Sequence, residues 1–524
     1  MARREMRHFG WGDPAHAAHG LPEAAASLLR ARVGLADAPR PPLPIADIRL
    51  PQAAPVDLPG ASTEHRLRLL RAAGKSYPDL VRMRLGLIEH APDAVLTPMS
   101  VDELRTVLRA GVAVVPFGGG TSVVGGVEAL RGSHPAVVSL DLGALDRLVS
   151  LDERSHIAVF EPGIQLPAAE GALNARGYTL GHFPQSYEYA TVGGCVATRS
   201  SGQASTGYGR IDAMVLGLHA VCPAGDVDLL TVPASAAGPD LRELFTGSEG
   251  TLGVLTQIAL RVRPLPAERR YEGFMFTSFD HGCEAFRALE QEGAAPHVAR
   301  LSDEAETEVT FAMAGREGLL ADLAGRYLRA RGVERGCLAI CGWEGTLDHV
   351  ESARDASLAV LRRHGAVSLG RSPGRAWSRG RFDGPYLRDD LMERGVMAET
   401  LETATTWTNL HALHRAVGDA LREHAPVVMC HVSHLYETGA SLYFTFIARQ
   451  REGAEIEQWR EIKTAACDAI VAAGGTITHH HAVGRDHAPW LRHEASDTGI
   501  AALRAVKAEL DPDGVMNPGK LLTS

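Results

Sequence analysis

The chain has no CxxC pair, no apolar run long enough to cross a bilayer and no excess of positive charge. Its seven cysteines, Cys195, Cys222, Cys283, Cys337, Cys341, Cys430 and Cys467, are an odd and scattered set. That excludes a disulfide framework and an iron–sulfur site, and reads as reduced, intracellular thiols. Without a run of about 18 apolar residues, a spanning helix is excluded too. The formal net charge of -10 argues against a nucleic-acid binder, because phosphate backbones demand a basic face. Residues 1–20 carry arginines but no apolar h-region, so no secretory signal is expected. The closing Leu-Leu-Thr-Ser is not a peroxisomal Ser-Lys-Leu address. A cytoplasmic protein is the expectation.

What is present is the composition of an ordinary globular protein, 45% apolar and 22% charged. At 524 residues it predicts two or three packed units. Residues 1–89 read as an arm rich in Ala, Pro and Arg, with helices at Glu23–Arg32 and Glu64–Ala73. From about residue 90, short strands (Val112–Val115, Ala136–Leu140, His156–Phe160, Met214–Val221, Gly253–Val262) alternate with helices at Val101–Ala110 and Leu166–Arg176. Pro264 and Pro266 close this unit at about 267. Residues 268–470 carry longer helical patterns, at Gly282–Gln291, Arg316–Arg331, Leu347–Arg363 and Trp407–Glu423, with strands at Leu338–Ile340, Val427–Val432 and Ser441–Ala448. Residues 471–524 form a compact tail with a helix at Ile500–Leu510. Such alternation indicates an α/β or α+β fold.

The stretch VVPFGGGTSVVGG leaves a strand and enters three successive glycines. Bare glycine backbone suits close approach to a diphosphate, and Thr121 and Ser122 add hydroxyls. It is neither a Rossmann GxGxxG nor a Walker loop, and alone it suits a tight structural turn equally well. Two later segments, GHFPQSYEYATVGGCVATRSSGQ and FTGSEGTLGVL, are just as dense in Gly, Ser and Thr. Taken together and in order, the three resemble the FAD-binding domain shared by vanillyl-alcohol oxidase, D-lactate dehydrogenase and alkyldihydroxyacetonephosphate synthase. The resemblance implies FAD contacts at Pro116, Phe117, Gly118, Gly119, Gly120, Thr121 and Ser122. It implies further contacts at Pro184, Gln185, Ser186, Tyr187, Glu188, Tyr189 and Ala190, and at Ala197, Thr198, Arg199 and Ser200. The last set is Glu249, Gly250, Thr251, Leu252, Gly253, Val254 and Leu255. No His or Cys of the kind that tethers flavin flanks the glycines, so FAD is expected to be non-covalent. Cys195 reads as a small buried thiol.

Downstream lies GGTITHHHAVGRDHAPW, with His479, His480 and His481 in a row. On a strand they would alternate faces, so all three could not hold one metal. They are either exposed loop imidazoles or bases beside a flavin. A second cluster, CHVSHLYETGASLYFTF, holds His431, His434 and Tyr443, with a turn between that leaves their relative faces undecided. The superfamily's 2-hydroxy-acid dehydrogenases carry metal ligands here, but Tyr443 and His480 stand at two of the three positions, so no metal is expected.

The His triplet, the Tyr-Phe pair of SLYFTF and the early Gly-Trp-Gly instead resemble the alkyldihydroxyacetonephosphate synthase family over nearly the whole chain. That resemblance makes Tyr443 the proton donor or acceptor, with His479, His480 and His481 in support. Arg388 becomes the phosphate-binding arginine, and Arg300 shapes the flavin site; without the family context each would read as a surface ion pair. His431 stands where the family often has Arg, and Ala482 and Arg485 replace its usual Gly and Lys. The implied fold is α+β: a two-part FAD domain, a cap, and a C-terminal segment returning to the FAD domain. The implied reaction replaces the acyl group of acyl-dihydroxyacetone phosphate by a fatty alcohol, with flavin N5 as covalent trap. The alternative is a FAD-dependent D-2-hydroxy-acid or alcohol dehydrogenase or oxidase. Lipid substrates would bring peripheral membrane contact, and a homodimer is compatible with this reading.

Overall fold

The computed structural model describes residues 3–13, 20–36, 38–314, 319–333 and 335–522. Valine-rich β1 (Ala94–Leu96), β2 (Ala113–Phe117) and β3 (Val137–Asp141) form a small parallel sheet in the order β1-β3-β2. Both faces are covered, so its strands are buried runs without polar alternation. The next two strands are β4 (Leu148–Asp152) and β5 (Ile157–Phe160); β6 (Tyr178–Thr179) makes a short ribbon elsewhere. With β7 (Val215–Cys222), β8 (Gly225–Leu229) and β9 (Val254–Arg261), β4 and β5 make an antiparallel sheet ordered β4-β5-β9-β7-β8. Its outer strand β8 alternates exposed and half-buried residues, whereas central β9 is buried almost throughout.

After the ribbon strand β10 (Arg263–Pro264), a third sheet is built from seven strands: β11 (Glu268–Phe276), β12 (Val298–Ser302), β13 (Cys337–Gly345), β14 (Val367–Gly370), β15 (Val396–Thr406), β16 (Val427–Tyr436) and β17 (Gly439–Arg449). Its order is β14-β11-β13-β12-β16-β17-β15, and every pairing is antiparallel. The helices Phe279–Gln291, Leu347–Arg363, Leu410–Arg422 and Glu455–Ala472 supply side chains to the core on one face, with Trp343, Phe274, Phe286 and Phe444 fully buried. Truncating Phe444 to Ala there would cost about 3–5 kcal/mol, the usual range for a buried aromatic. The fold is α+β, with the two smaller sheets in the first half of the chain and the seven-stranded sheet after them. The tail returns: Met516 bridges to Val114 of β2, and the Asn517 amide donates to the Val114 carbonyl at 2.8 Å.

Helices Glu23–Arg32 and Leu347–Arg363 run as their apolar spacing predicts, the second capped by Thr346, whose hydroxyl accepts from the His349 amide. The Glu64–Ala73 pattern yields only His65–Leu70, and the Ile500–Leu510 helix starts earlier, at Leu491, with a break at Ser496. Position 316 of the helix expected at 316–331 lies outside the described residues; the described part runs Leu319–Ala330. Strand β15 and helix Glu455–Ala472 were not expected from the sequence.

Candidate active site

Sheet pairing gathers the chemistry. The β15–β17 register sets Glu402 opposite Tyr443, and the β16–β17 hairpin sets His431 opposite Tyr443 from the other side. Directly paired residues share a face, so Glu402, Tyr443 and His431 form one row across three strands. Ser302 of β12 pairs with His431, and Arg300, two residues along, faces the same way. The turn at Glu437 and Thr438 thus resolves what strand parity alone left open. The His431 and Tyr443 rings stack at 4.9 Å, and Arg300 Nη1 donates to His431 Nε2 at 2.8 Å. An arginine cannot accept, so Nε2 carries no proton and the neutral ring holds its proton on Nδ1. That atom lies 3.1 Å from Glu306 Oε2, off the line of a good hydrogen bond. Glu306 also pairs with Arg300 at 2.5 Å.

The His triplet hangs over this row on one buried carboxylate. Glu402 accepts from the Thr478 hydroxyl at 2.6 Å and from the amides of His479, His480 and His481 at 2.5, 3.1 and 2.9 Å. Burial works to raise its pKa, but the three rings and the Thr478 hydroxyl outweigh it and hold the carboxyl well below the usual range. The segment is an irregular loop, not a strand, so His479 and His480 both turn towards His434. His480 stacks on Tyr443 at 6.0 Å, and His481 meets its edge at 5.6 Å. His479 instead bonds the Tyr436 hydroxyl at 2.5 Å through Nε2 and His480 at 3.0 Å through Nδ1. His434, His479 and His480 bring ligand-type atoms within 4.8 Å of one another. The His434 nitrogens are already engaged, however, by Ser433 and Ser441 on one side and the Gly202 carbonyl on the other. The arrangement is a hydrogen-bonded network of neutral rings. Burial pushes His480 and His434 down to about 3 and Tyr443 up to about 12.

The three glycine-rich motifs also converge. A Cβ on Gly119 would stand 2.0 Å from the Tyr189 carbonyl oxygen, and one on Gly118 would stand 2.4 Å from the Thr191 hydroxyl. One on Gly250 would stand 2.9 Å from Pro116. Each motif is therefore bare where it meets another. Side chains within them serve different ends. The Glu249 carboxylate accepts from the amides of Val483 and Gly484 at 2.9 and 2.7 Å, tying this motif to the end of the His loop. Arg199 turns to Asp212 and Glu243, Tyr187 stacks on Phe382, and Leu252, Val254 and Leu255 lie in core clusters. Ser200 bonds His182, and Cys195 is buried. Arg388 belongs to a separate neighbourhood: its Nη1 donates to the Lys75 carbonyl at 3.0 Å, while the Lys75 amide donates to the Ser122 carbonyl at 2.6 Å. Arg388 Nε is buried with no hydrogen-bond partner.

Residues 92–229 match the family described as FAD binding domain, and residues 265–521 the C-terminal domain of FAD linked oxidases. An alkyldihydroxyacetonephosphate synthase of Trypanosoma brucei brucei is 34% identical over 475 residues, covering 87% of this chain and 77% of its own. One from Dictyostelium discoideum is 33% identical over 472 residues, with the same coverage. The chain belongs to the alkyldihydroxyacetonephosphate synthase family. A solved structure of an alkyldihydroxyacetonephosphate synthase superposes with a TM-score of 0.85 at 28% identity, covering 98% of each chain. As in this family, the chain is a FAD-dependent enzyme. The residues present fit that cofactor: the bare glycine cradle could not hold side chains, and the buried Ser201 hydroxyl and Asn517 Oδ1 near the motifs lack protein partners. Among the described residues no helix is long and apolar enough to cross a membrane.

Glu402 and Tyr436, which bond the His loop, and Lys75, whose carbonyl accepts from Arg388, were not singled out by sequence reasoning. A carboxylate within the Thr-rich run VMAETLETATT was the available signal for Glu402.

Proposed function

We propose that this chain replaces the acyl group of acyl-dihydroxyacetone phosphate by a fatty alcohol, releasing a fatty acid and leaving an ether. Residues 90–267 form the FAD unit in this reading, 268–470 the cap, and 471–524 complete both. The observation that carries it is Tyr443 held between the rings of His431 and His480, with His481 at its edge. The exchange begins with removal of a proton from the carbon bearing the ester, next to the ketone. A neutral imidazole can take a proton and a neutral phenol can give one, and the row holds both within contact. Tyr443, pushed up to about 12 by burial, rests protonated and serves as the donor. His480 and His481, held neutral by burial, serve as acceptors, with Glu402 beneath them to stabilise the charge they gain. Bound FAD supplies, at N5 of its ring, the electron sink for the resulting carbanion. Arg388, with an unpaired buried Nε, fits the phosphate anchor, since a guanidinium offers fixed donors to phosphate oxygens. The alcohol's proton leaves with the carboxylate, so the overall exchange is redox-neutral.

The test is the flavin spectrum under anaerobic conditions. Palmitoyl-dihydroxyacetone phosphate should perturb it, hexadecanol should restore it, and palmitate should be released in step with ether. Bleaching by D-lactate, glycolate or D-2-hydroxyglutarate would overturn the proposal and make the chain a dehydrogenase.

A further inference from the structure

The glycine loop borders a cavity of about 300 Å³, and the N-terminal arm forms part of its wall. Arg3, Arg4, Arg71 and Lys75 face it, and Glu5 is the single acid among its lining residues. The backbones of Gly119 and Gly120 form the opposite side. A smaller cavity, sharing Arg3, Arg4 and Gln165 with the first, runs on beside Gly143 and Gly163.

The arm is sewn to this place by specific bonds. Arg3 Nη2 donates to the Gly118 carbonyl at 2.6 Å, and Nη1 pairs with Asp141 at the end of β3. Gln165 holds the Arg4 backbone in both directions, accepting from its amide at 2.9 Å and donating to its carbonyl at 3.0 Å. Lys75 Nζ donates to the carbonyls of Arg7 and His8 at 2.7 and 3.2 Å. A Cβ at Gly143 would strike the Arg3 guanidinium, so that glycine leaves room for the arm. The described residues 3–13 form no helix or strand: Arg3, Arg4, Glu5 and Met6 line the larger cavity as a strap, and the chain then turns, the Arg7 amide donating to the Gly12 carbonyl at 2.9 Å.

We propose that this arm is part of the cofactor site, with Arg3 and Arg4 as the cationic wall that clamps the diphosphate of FAD against the glycine loop. Arg3 and Arg71 share Asp141, Arg71 also meets Glu5 at 3.5 Å and Arg4 meets Glu188 at 3.5 Å, so four cations face three carboxylates and leave an excess of positive charge for a dianionic diphosphate. The glycine backbone supplies N–H donors to the same group from the other side, but no charge. No residue of the Tyr443 row lines either cavity, so the strap acts on the dinucleotide and not on the chemistry.

The test is binding, not turnover. Apo-protein of the full chain is titrated with FAD by flavin fluorescence, and ADP is used as a competitor. In Arg3→Ala/Arg4→Ala, FAD and ADP should both weaken by the same factor, at least ~10-fold, from the loss of charge-assisted contacts. The salt dependence of FAD binding should flatten along with it. Arg3→Lys/Arg4→Lys should recover most of the affinity, and Gln165→Ala, which unties Arg4 and keeps both charges, should lie between. Unfolding of the apo-protein should shift by less than the FAD affinity does, since Asp141 keeps the Arg71 Nε bond at 2.7 Å when Arg3 is removed. FAD affinity within twofold of wild type would overturn the clamp. So would a loss for FAD that spares ADP, because the arm would then act elsewhere. Wild-type FAD uptake is the control that keeps a failure of the clamp distinct from a failure of the cofactor assignment.

Discussion

Glu402 is where the fold and the chemistry are joined, and replacing it gives the sharpest test. Its side chain is fully buried and takes four donors from a loop that begins 76 residues further on. Changing Glu402 to Ala strands the amides of His479 and His480; the His481 amide keeps the Thr478 hydroxyl oxygen at 3.2 Å, and that hydroxyl can turn its hydrogen to another acceptor. A buried N–H without a partner costs ~1–3 kcal/mol. Water entering beside the half-buried rings offsets part of the sum, which leaves about 3–5 kcal/mol, the range for breaking a buried charged network. Glu402→Gln keeps an acceptor oxygen but turns an NH2 towards an amide, and should cost about half as much. In both variants the loop loses its register over Tyr443, and a misplacement of about 1 Å is worth ~100-fold in turnover. The assay is urea unfolding of the holo-protein beside ether formation. Ala within ~1 kcal/mol of wild type, with turnover within twofold, would refute the claim that this carboxylate holds the histidines.

Tyr443→Phe keeps the stack and loses the hydroxyl; exchange should fall about 10²–10⁴-fold, the usual worth of a positioned acid, while FAD stays bound. Gly119→Ala drives a methyl into the Tyr189 carbonyl, so the purified protein should show a flavin-to-protein absorbance ratio far below wild type. The pH dependence of stability follows from His182, His434, His480 and His487, each pushed from 6.5 to about 3 by burial. Their unfolded forms take up protons first, so stability is fully present above pH 6.5 and falls as pH drops towards 3, by up to ~1.4 kcal/mol per pH unit per group. Burial also raises Asp79 to about 6 and Glu249 and Asp486 to about 7, which works the other way between each unfolded value and the folded one and offsets part of the loss. A urea midpoint unchanged between pH 7.5 and 5 would contradict this.

Local signals carried the cofactor half of the site. Each glycine motif is a short stretch whose bareness is visible in the residues themselves, and their meeting follows once the fold is known. The helix Leu347–Arg363 was equally legible, because apolar spacing and the Thr346 cap lie within one segment. The row of Glu402, Tyr443 and His431 was not. It needs the register of three strands, fixed by a two-residue turn, and a bulge between Val432 and Leu435. Strand β15 hid for a related reason: VMAETLETATT has acids and threonines where an ordinary core strand would be apolar, because one of its carboxylates has a partner loop distant in sequence. Arg3 and Arg4 were lost in an arm that reads as polar linker.

Burial drives Tyr443 up and the histidines down, so the phenol and the imidazoles are all pushed towards neutrality. Proton transfer across it would create opposite charges in a poorly solvated place, which is costly unless fixed charges await them. They do. Glu402 lies 3.5 Å from His480 Nδ1 and 3.7 Å from His481 Nδ1, so an imidazolium formed there meets an anion already held by four donors. The Thr400 side chain bonds the Tyr443 hydroxyl and, with a smaller contribution from Arg300, works against burial and the Glu399 and Glu402 carboxylates to ease its ionisation; Arg300, at the other end, is anchored by Glu306 and His431. The row is thus polarised from both ends, with the cation on the β12 side and the anion on the β15 side. An imidazolium formed at His480 or His481 is therefore favoured on the side of Glu402. Arg300 thus takes a share in Tyr443's acidity besides anchoring His431.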